Sequence, residues 1–229
     1  RTVDDATQAL RAHPELFRPV IQGFARAEKA AALRIHLVSR LPAEAYGDPV
    51  VRGTAIDLLV KAQAFSTARR LWGSAHAQKG ELLHSPDFSD FRAPPPFNWE
   101  LAESETGVAE RAAGGGLELA YFGRVPGKLV SQLLTLSPGA YLLSIDYRSV
   151  SGTPGAIGLE VRCAGQSAVL AMVSLGARVG ADGEAELAFA VPAEGCAGQQ
   201  VALVGRPLEE RDGQEALVRR LDLKRGGPA

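Results

Sequence analysis

The chain has 229 residues, of which 46% are hydrophobic and 22% are charged. This composition is ordinary for globular proteins and supplies enough apolar surface for one large core or two smaller ones, which excludes a disordered chain. The formal net charge is −1, and interspersed acidic residues exclude electrostatic capture of nucleic acid. No apolar run approaches the roughly 18 residues that a membrane-spanning helix requires, so we expect no membrane span.

The first part of the chain, residues 1–79, has the patterns of antiparallel helices. Residues 25–39 place alanine and aliphatic side chains at helical spacing. Asp48 followed by Pro49 is typical of an N-cap with proline at the first helical position. The helix that begins there is expected to end near Gln63. Its predicted apolar face consists of Ala55, Leu58, Leu59 and Ala62.

A further helix is predicted to begin at Ser66, with Trp72 on its apolar face. Residues 58–72 resemble half of a tetratricopeptide repeat, although alanine or glutamine stands where that motif has glycine at the helix contact. The resemblance implies a pair of packed helices. Because one repeat cannot bury its own face, we expect these helices to pack on the rest of the chain or on further helices outside it.

After residue 80 the glycine and proline content rises, and alternation of apolar and polar residues replaces helical spacing. Turn residues separate the alternating segments, and no helical pattern lies between them. Strands are predicted at residues 117–122, 130–136, 141–148, 158–163, 169–175, 185–191, 201–205 and 216–223. These strands indicate an antiparallel β-sandwich of jelly-roll type over residues 80–229, so the whole chain is predicted to be an α+β protein.

The two cysteines, Cys163 and Cys196, each stand beside small, turn-forming residues in the β-rich part. They are either two unrelated buried thiols or a disulfide between neighbouring strands. We favour the disulfide, because the sequence contains no CxxC pair and no Cys/His cluster that would indicate metal or redox chemistry. Disulfides persist in oxidising compartments, so a periplasmic or extracellular location is expected. Because Arg1 is not an initiating methionine, the chain is expected to be a trimmed one whose targeting signal lies outside it.

Several segments of the β-rich part resemble the galactose-binding-like jelly rolls that include many carbohydrate-binding modules. These segments are 87–89, expected to be an opening strand; Pro96-Phe97-Asn98-Trp99; 132–141, a strand-turn-strand; and 221–223 in a closing strand. The resemblance covers about residues 82–225, and more narrowly it is to the C-terminal domain of bacterial tetratricopeptide-repeat proteins. It implies ligand binding.

Such modules often hold a structural calcium between an acidic residue near the first strand and an aspartate in the last strand. The matching residues are Asp87 and Asp222, but Ser89 stands where that pattern favours glutamate. Calcium takes six to eight oxygen ligands, so we expect neither a metal nor any other cofactor.

No catalytic constellation is evident. The four histidines, His13, His36, His76 and His84, lie in the helical part or at its edge, and none belongs to an HExxH motif. No GxSxG motif occurs, and a serine without its base is a weak nucleophile. We therefore predict no catalytic residues and no enzyme. A glycosidase is a weaker alternative, which requires two carboxylates about 5–10 Å apart; Asp146 and the pair at 209–210 are the acidic residues considered for it.

The candidate ligand-binding residues are Trp99, Tyr121 and Arg148. Trp99 is a flat ring suited to sugar stacking, although its apolar neighbours also suit a core position. Tyr121 and Phe122 point to opposite faces of one strand, so one of them is outside or at an edge. Arg148 lies on the strand face opposite Tyr147.

Two functions follow. The first is a non-catalytic binding or assembly module of the cell envelope that recognises polysaccharide or an envelope protein partner, for example one in polysaccharide export. The alternative is a protein–protein scaffold in which the helices continue a tetratricopeptide array and the sandwich caps it. Aromatic rings clustered on one exposed sheet face favour the first function, and a wholly aliphatic face counts against it.

Overall fold

The protein is described here by a computed structural model, which covers residues 8–10, 12–26, 38, 41, 43–76, 80–208 and 212–226. The chain divides into two compact units, Arg1–Gln78 and Lys79–Ala229. Within the described residues, no helix is long and apolar enough to cross a membrane.

The described part of the first unit is helical. Helix α1 spans Phe17–Arg26, α2 spans Pro49–Lys61 and α3 spans Phe65–His76, and short 3-10 helices occupy Pro14–Leu16 and Ala43–Gly47. The predicted cap of α2 is confirmed, because the Asp48 carboxylate accepts hydrogen bonds from the backbone of Val50 at 2.7 Å and Val51 at 3.4 Å. These bonds satisfy amides that the helix itself leaves unpaired.

The connection between α2 and α3 lies where the sequence predicts it. Gln63 has a φ of 58°, a left-handed conformation that ends one helix before the next begins at Phe65. Trp72 is fully buried, and the Arg69 guanidinium lies 4.6 Å from the centre of its ring. Most of the helix expected at 25–39 lies outside the described residues. The likeness of this helix pair to a tetratricopeptide repeat stays a prediction.

The second unit is a sandwich of two five-stranded antiparallel sheets, which confirms the β-sandwich prediction. The strands are β1 Glu100–Leu101, β2 Gly107–Arg111, β3 Leu117–Tyr121, β4 Gly127–Leu134, β5 Gly139–Gly152, β6 Ile157–Cys163, β7 Val169–Ser174, β8 Asp182–Val191, β9 Gln199–Gly205 and β10 Gln214–Arg225. Sheet I has the strand order β1-β4-β9-β6-β7, and sheet II has the order β2-β3-β10-β5-β8.

The core lies between the two sheets and follows the alternation in the sequence. From Tyr141 onward every second side chain of β5 is buried as far as Ser149, and these are Tyr141, Leu143, Ile145, Tyr147 and Ser149. In β3 the buried residues Leu117, Leu119 and Tyr121 alternate with Glu118 and Ala120. Because successive side chains point to opposite faces of a strand, Glu118 and Ala120 lie on the outer face of sheet II.

Three buried glutamines hydrogen-bond the backbone of separate segments. The Gln132 amide pairs with both the N–H and the C=O of His84, at 2.9 and 3.0 Å. Gln199 accepts from the Leu136 N–H and donates to the Cys196 carbonyl, both at 2.7 Å. Gln214 accepts from the Ile157 N–H at 2.7 Å and donates to the Leu175 carbonyl at 3.0 Å. Each amide thus satisfies backbone groups that burial removes from water.

The opening strand expected at 87–89 is wrong, because this segment is a turn. Asp87 accepts hydrogen bonds from the Ser89 hydroxyl at 2.7 Å and from the Ser89 N–H at 3.2 Å, and Phe88 has a φ of 57°. An aspartate side chain bonded to the backbone two residues ahead favours a turn over a strand. The first two strands instead lie at Glu100–Leu101 and Gly107–Arg111, where no strand was predicted.

The predicted disulfide between Cys163 and Cys196 is present, with the Cα atoms 5.2 Å apart. Cys163 ends β6, and Cys196 lies in the connection that leads to β9, the neighbour of β6 in sheet I. Both cysteines are buried. The bond therefore ties the β8–β9 connection to the end of its neighbouring strand.

Candidate functional site

The Trp99 ring lies in the core of the sandwich. It is 2% exposed, its centre is 5.0 Å from that of Phe88, and its Nε1–H donates to the Ser85 carbonyl at 2.9 Å. Both faces of the ring are covered, so no sugar can stack on it in this structure. The prediction of Trp99 as a ligand-binding residue is therefore corrected to a core position.

The Tyr121 ring is also a core residue, with 2% of the residue exposed. A Cβ atom placed on Gly205 would lie only 2.1 Å from this ring, so glycine is required there to admit the tyrosine. The hydroxyl has no hydrogen-bond partner among the described residues, and burial raises its pKa. Phe122 is the exposed member of the pair, at 48%, so the ligand-binding prediction for Tyr121 is likewise corrected.

The structure places Arg148 on the outer face of sheet II. Its guanidinium lies 3.5 Å from the Asp182 carboxylate. Asp182 also accepts a hydrogen bond from Arg219, which holds the pKa of the Asp182 carboxyl below its usual range. Arg148 is exposed and pairs in register with Leu217 of β10. Its role in ligand binding stays a prediction.

A groove of about 440 Å³ runs over the outer face of sheet II. Two rows of cross-strand neighbours form it. Glu110, Glu118 and Leu217 follow one another from β2 through β3 to β10, and this row continues to Arg148 and Asp182 on β5 and β8. The parallel row consists of Val108, Ala120, Glu215 and Ser151. Val150, which is 46% exposed, also lines the groove.

Three carboxylates, those of Glu110, Glu118 and Glu215, line this groove. Glu110 and Glu118 are direct cross-strand partners, which places their Cβ atoms about 5 Å apart. Glu215 accepts a hydrogen bond from the Ser151 hydroxyl at 2.8 Å. The described hydrophobic residues that line the groove are all aliphatic. The groove therefore combines hydrogen-bond acceptors with a surface suited to C–H groups.

Two arginines of this face, Arg148 and Arg219, are engaged outside the groove. Arg219 lies 3.2 Å from the Asp146 carboxylate and also pairs with Asp182. Arg148 pairs with Asp182. Among the ion pairs between described residues, none involves a carboxylate of the groove.

The two aspartates considered for calcium have a guanidinium beside them. Arg220 donates to both oxygens of Asp222, at 2.6 and 2.8 Å, which lowers the pKa of that carboxyl. The pKa of Asp87 is lowered chiefly by the Ser89 hydroxyl, with a smaller contribution from the charge of Arg220. No group of three or more potential metal ligands occurs among the residues that the structure describes. Residues 209 and 210, considered for the glycosidase alternative, lie outside the described ranges.

The sequence analysis missed the three glutamates of the groove. Glu118 stands between the apolar Leu117 and Leu119, so alternation assigns it to the outer face. Its position opposite Glu110, however, depends on the pairing of β2 with β3, and β2 was not predicted. Only the register of the sheet brings these carboxylates together.

The solved structures that this chain is similar to include carbohydrate-binding modules and enzymes. A family 4 carbohydrate-binding module aligns with a TM-score of 0.49 at 10% identity, covering 63% of this chain and 99% of the module. A family 16 carbohydrate-binding module aligns with a TM-score of 0.42 at 12% identity, with the same coverages. A cyclase from Fischerella sp. TAU, in complex with 4-(1H-indol-3-yl)butan-2-one, aligns with a TM-score of 0.38 at 14% identity, covering 64% of this chain and 98% of the cyclase.

No protein-family model matches the sequence, and no curated protein matches it. The structural likenesses combine low identity with TM-scores below 0.5. These likenesses therefore assign no function to this chain.

Proposed function

We propose that the β-sandwich is a non-catalytic carbohydrate-binding module of the cell envelope and that the groove on sheet II is its binding site. The observation that carries the proposal is the groove itself, with its volume of about 440 Å³ and its three carboxylates. Ligand sites in proteins are concave surfaces of about 300–1,000 Å³ with a few polar groups among apolar ones.

The residues of the groove suit a polyol. Carboxylate oxygens accept hydrogen bonds from hydroxyl groups, and bonds to a charged acceptor are stronger than those between neutral groups. Val108, Ala120 and Leu217 offer aliphatic contacts to the C–H face of a sugar ring. The groove lies on a sheet face and not in an enclosed cavity, which suits recognition of a segment within a longer chain.

The disulfide supports the proposed location. Structural disulfides form and persist in oxidising compartments, such as the periplasm and the cell exterior, and the bond between Cys163 and Cys196 is buried. A polysaccharide ligand of the envelope is available in those compartments.

One observation favours the alternative, a protein partner. The hydrophobic lining of the groove is aliphatic, whereas flat aromatic rings are the usual platform for sugars, and Trp99 and Tyr121 are buried. An aliphatic surface also suits protein side chains, so a scaffold role for the sandwich is the second candidate function.

Affinity electrophoresis in gels that contain soluble polysaccharides, both neutral and charged, tests the proposal. Retardation by at least one polysaccharide is expected. Ala120→Met fills the groove floor without a change in charge and should abolish the retardation. Ala188→Met is the matched control, because Ala188 is exposed on β8 of the same sheet face and outside the groove. Wild-type protein that no polysaccharide retards, or equal retardation of both variants, would refute the proposal.

The same gels test the non-catalytic part of the proposal. Glu110 and Glu118 are neighbouring residues in a groove, and a glycosidase requires two carboxylates about 5–10 Å apart. We expect the retarding polysaccharide to keep its chain length during prolonged incubation with the protein. Shortening of the chain that Glu118→Gln abolishes would make the protein an enzyme.

A further inference from the structure

The charged side chains that the structure describes in the lining of the groove are all negative. Among the described residues, its lining includes Glu110, Glu118 and Glu215 but neither lysine nor arginine. Like charges directly opposite each other on a sheet destabilise it, and Glu110 faces Glu118 across β2 and β3. A ligand that carries positive charge relieves this repulsion when it binds.

The protein's own cations do not supply that relief among the described residues. Arg148 is the basic residue nearest to the groove in the row of Glu118, and it is paired with Asp182 on the far side. Arg219 is paired with Asp146 and Asp182. A positively charged ligand would therefore complement the three glutamates.

The strand pairing limits how that ligand is held. Strands β3 and β10, which form the middle of the groove, are each paired on both sides. Along β3, and along Gln214–Val218 of β10, the backbone is paired with a strand on each side, so an extended peptide cannot be added to the sheet there. The ligand is held by contacts to the sheet face alone, which a pyranose ring makes with its C–H surface and its polar substituents.

We infer that the groove selects amino sugars with free, protonated amino groups, and this inference rests on the proposed carbohydrate-binding function. The ammonium group donates to Glu118 and its neighbours, while the ring lies on Val108, Ala120 and Leu217. An N-acetylated sugar lacks the charge and binds more weakly. A uronic acid places a further carboxylate among three others and is repelled.

The expected size of the preference follows from the exposure of the groove. Ion pairs at exposed sites contribute modestly, so each Glu→Gln substitution should lower the affinity for a cationic sugar by about 1.5- to 5-fold. Because such pairs are screened by salt, the preference should shrink as the Debye length falls from about 30 Å at 0.01 M to about 3 Å at 1 M ionic strength.

Titration calorimetry tests the inference with three oligosaccharides of equal length. These are glucosamine oligomers, their N-acetylated counterparts and oligogalacturonate. The glucosamine oligomers should bind most tightly and oligogalacturonate most weakly. The triple variant E110Q/E118Q/E215Q should lose this order. The control E184Q/E186Q, which changes two exposed glutamates on β8 of the same sheet, should keep it.

The outcomes separate the inference from the function on which it rests. Equal affinity for the glucosamine and N-acetylglucosamine oligomers overturns the inference and leaves carbohydrate binding intact. The same conclusion holds if polysaccharide retards the protein in the gels but calorimetry shows no preference for glucosamine oligomers. A third outcome is that no sugar binds, that oligolysine binds the parent protein, and that the triple variant no longer binds oligolysine. The ligand is then a basic peptide, and both the inference and the proposed function are wrong.

Discussion

Loss of the disulfide should destabilise the sandwich by a calculable amount. Cys163 and Cys196 are 33 residues apart in sequence. For a closed loop of about that length, the chain-entropy estimate gives a stabilisation of about 4 kcal/mol, because the bond restricts the unfolded chain. For a unit of the size of Lys79–Ala229, each kcal/mol corresponds to roughly 2–4 °C in Tm, so a decrease of about 8–16 °C is expected.

Guanidinium unfolding followed by tryptophan fluorescence measures this effect. The chain has two tryptophans, and Trp72→Phe leaves Trp99 as the reporter inside the sandwich. In that background the variant C163A/C196A, and also the reduced parent protein, should lose about 4 kcal/mol of unfolding free energy. Reductant should not affect the variant, which is the control. If reduction leaves the unfolding midpoint of the parent unchanged, the disulfide does not stabilise the fold and the reasoning is refuted.

Three further predictions concern buried and charged groups. Gln132→Met should destabilise the sandwich by about 2–6 kcal/mol in denaturant unfolding, because each of the two backbone groups of His84 that Gln132 bonds loses that bond at about 1–3 kcal/mol. A loss below about 1 kcal/mol would contradict this. Tyr121→Phe removes a buried hydroxyl that has no partner among the described residues. The free energy of unfolding should therefore stay equal or rise, and retardation by polysaccharide should be unchanged. A marked loss of either would show that the Tyr121 hydroxyl makes a favourable polar contact in the fold or with the ligand. The Arg220 guanidinium lowers the pKa of Asp222. This pair therefore stabilises the fold above the ordinary aspartate pKa of about 4, and the stabilisation is lost as pH falls through the lowered pKa. The variant Asp222→Asn should flatten the profile of unfolding free energy against pH below about pH 4, and a profile identical to that of the parent protein would contradict the pairing.

Much of the fold was predictable because its signals are local. The alternation of Tyr141, Leu143, Ile145 and Tyr147 gives one buried face of β5, and a residue's neighbours in sequence suffice to show it. The Asp48 cap depends on side-chain and backbone groups two and three residues apart. Such features require no knowledge of how distant segments pair.

Other features were not predictable because they depend on distant partners. Strand β2, Gly107–Arg111, has only two small apolar residues, and its pairing with β3 holds it in sheet II. Gln132 is a polar residue at an inward position, and its burial is favourable only because the backbone of His84, 48 residues away, is its partner. The strand at 87–89 was expected from the resemblance to jelly rolls, but the hydrogen bond from the Ser89 N–H to the Asp87 carboxylate favours a turn there.

The candidate site was the least predictable part. Alternation shows that Tyr121 and Phe122 point to opposite faces, but the packing of the two sheets decides which ring is buried. Trp99 has a flat aromatic ring of the kind on which sugars stack, but this ring lies in the core. Glu118 has no unusual sequence context, and it becomes a site residue only through cross-strand neighbours.

We propose that the sandwich binds carbohydrate through the groove on sheet II. Amide chemical-shift mapping of the whole chain, titrated with glucosamine oligomers and with the polysaccharide that retards it most in gels, tests this claim most directly. The largest shifts should fall on Val108, Glu118, Ala120, Glu215 and Leu217. Shifts concentrated elsewhere in the sandwich or in the helical unit, or no shifts with any carbohydrate, would contradict it.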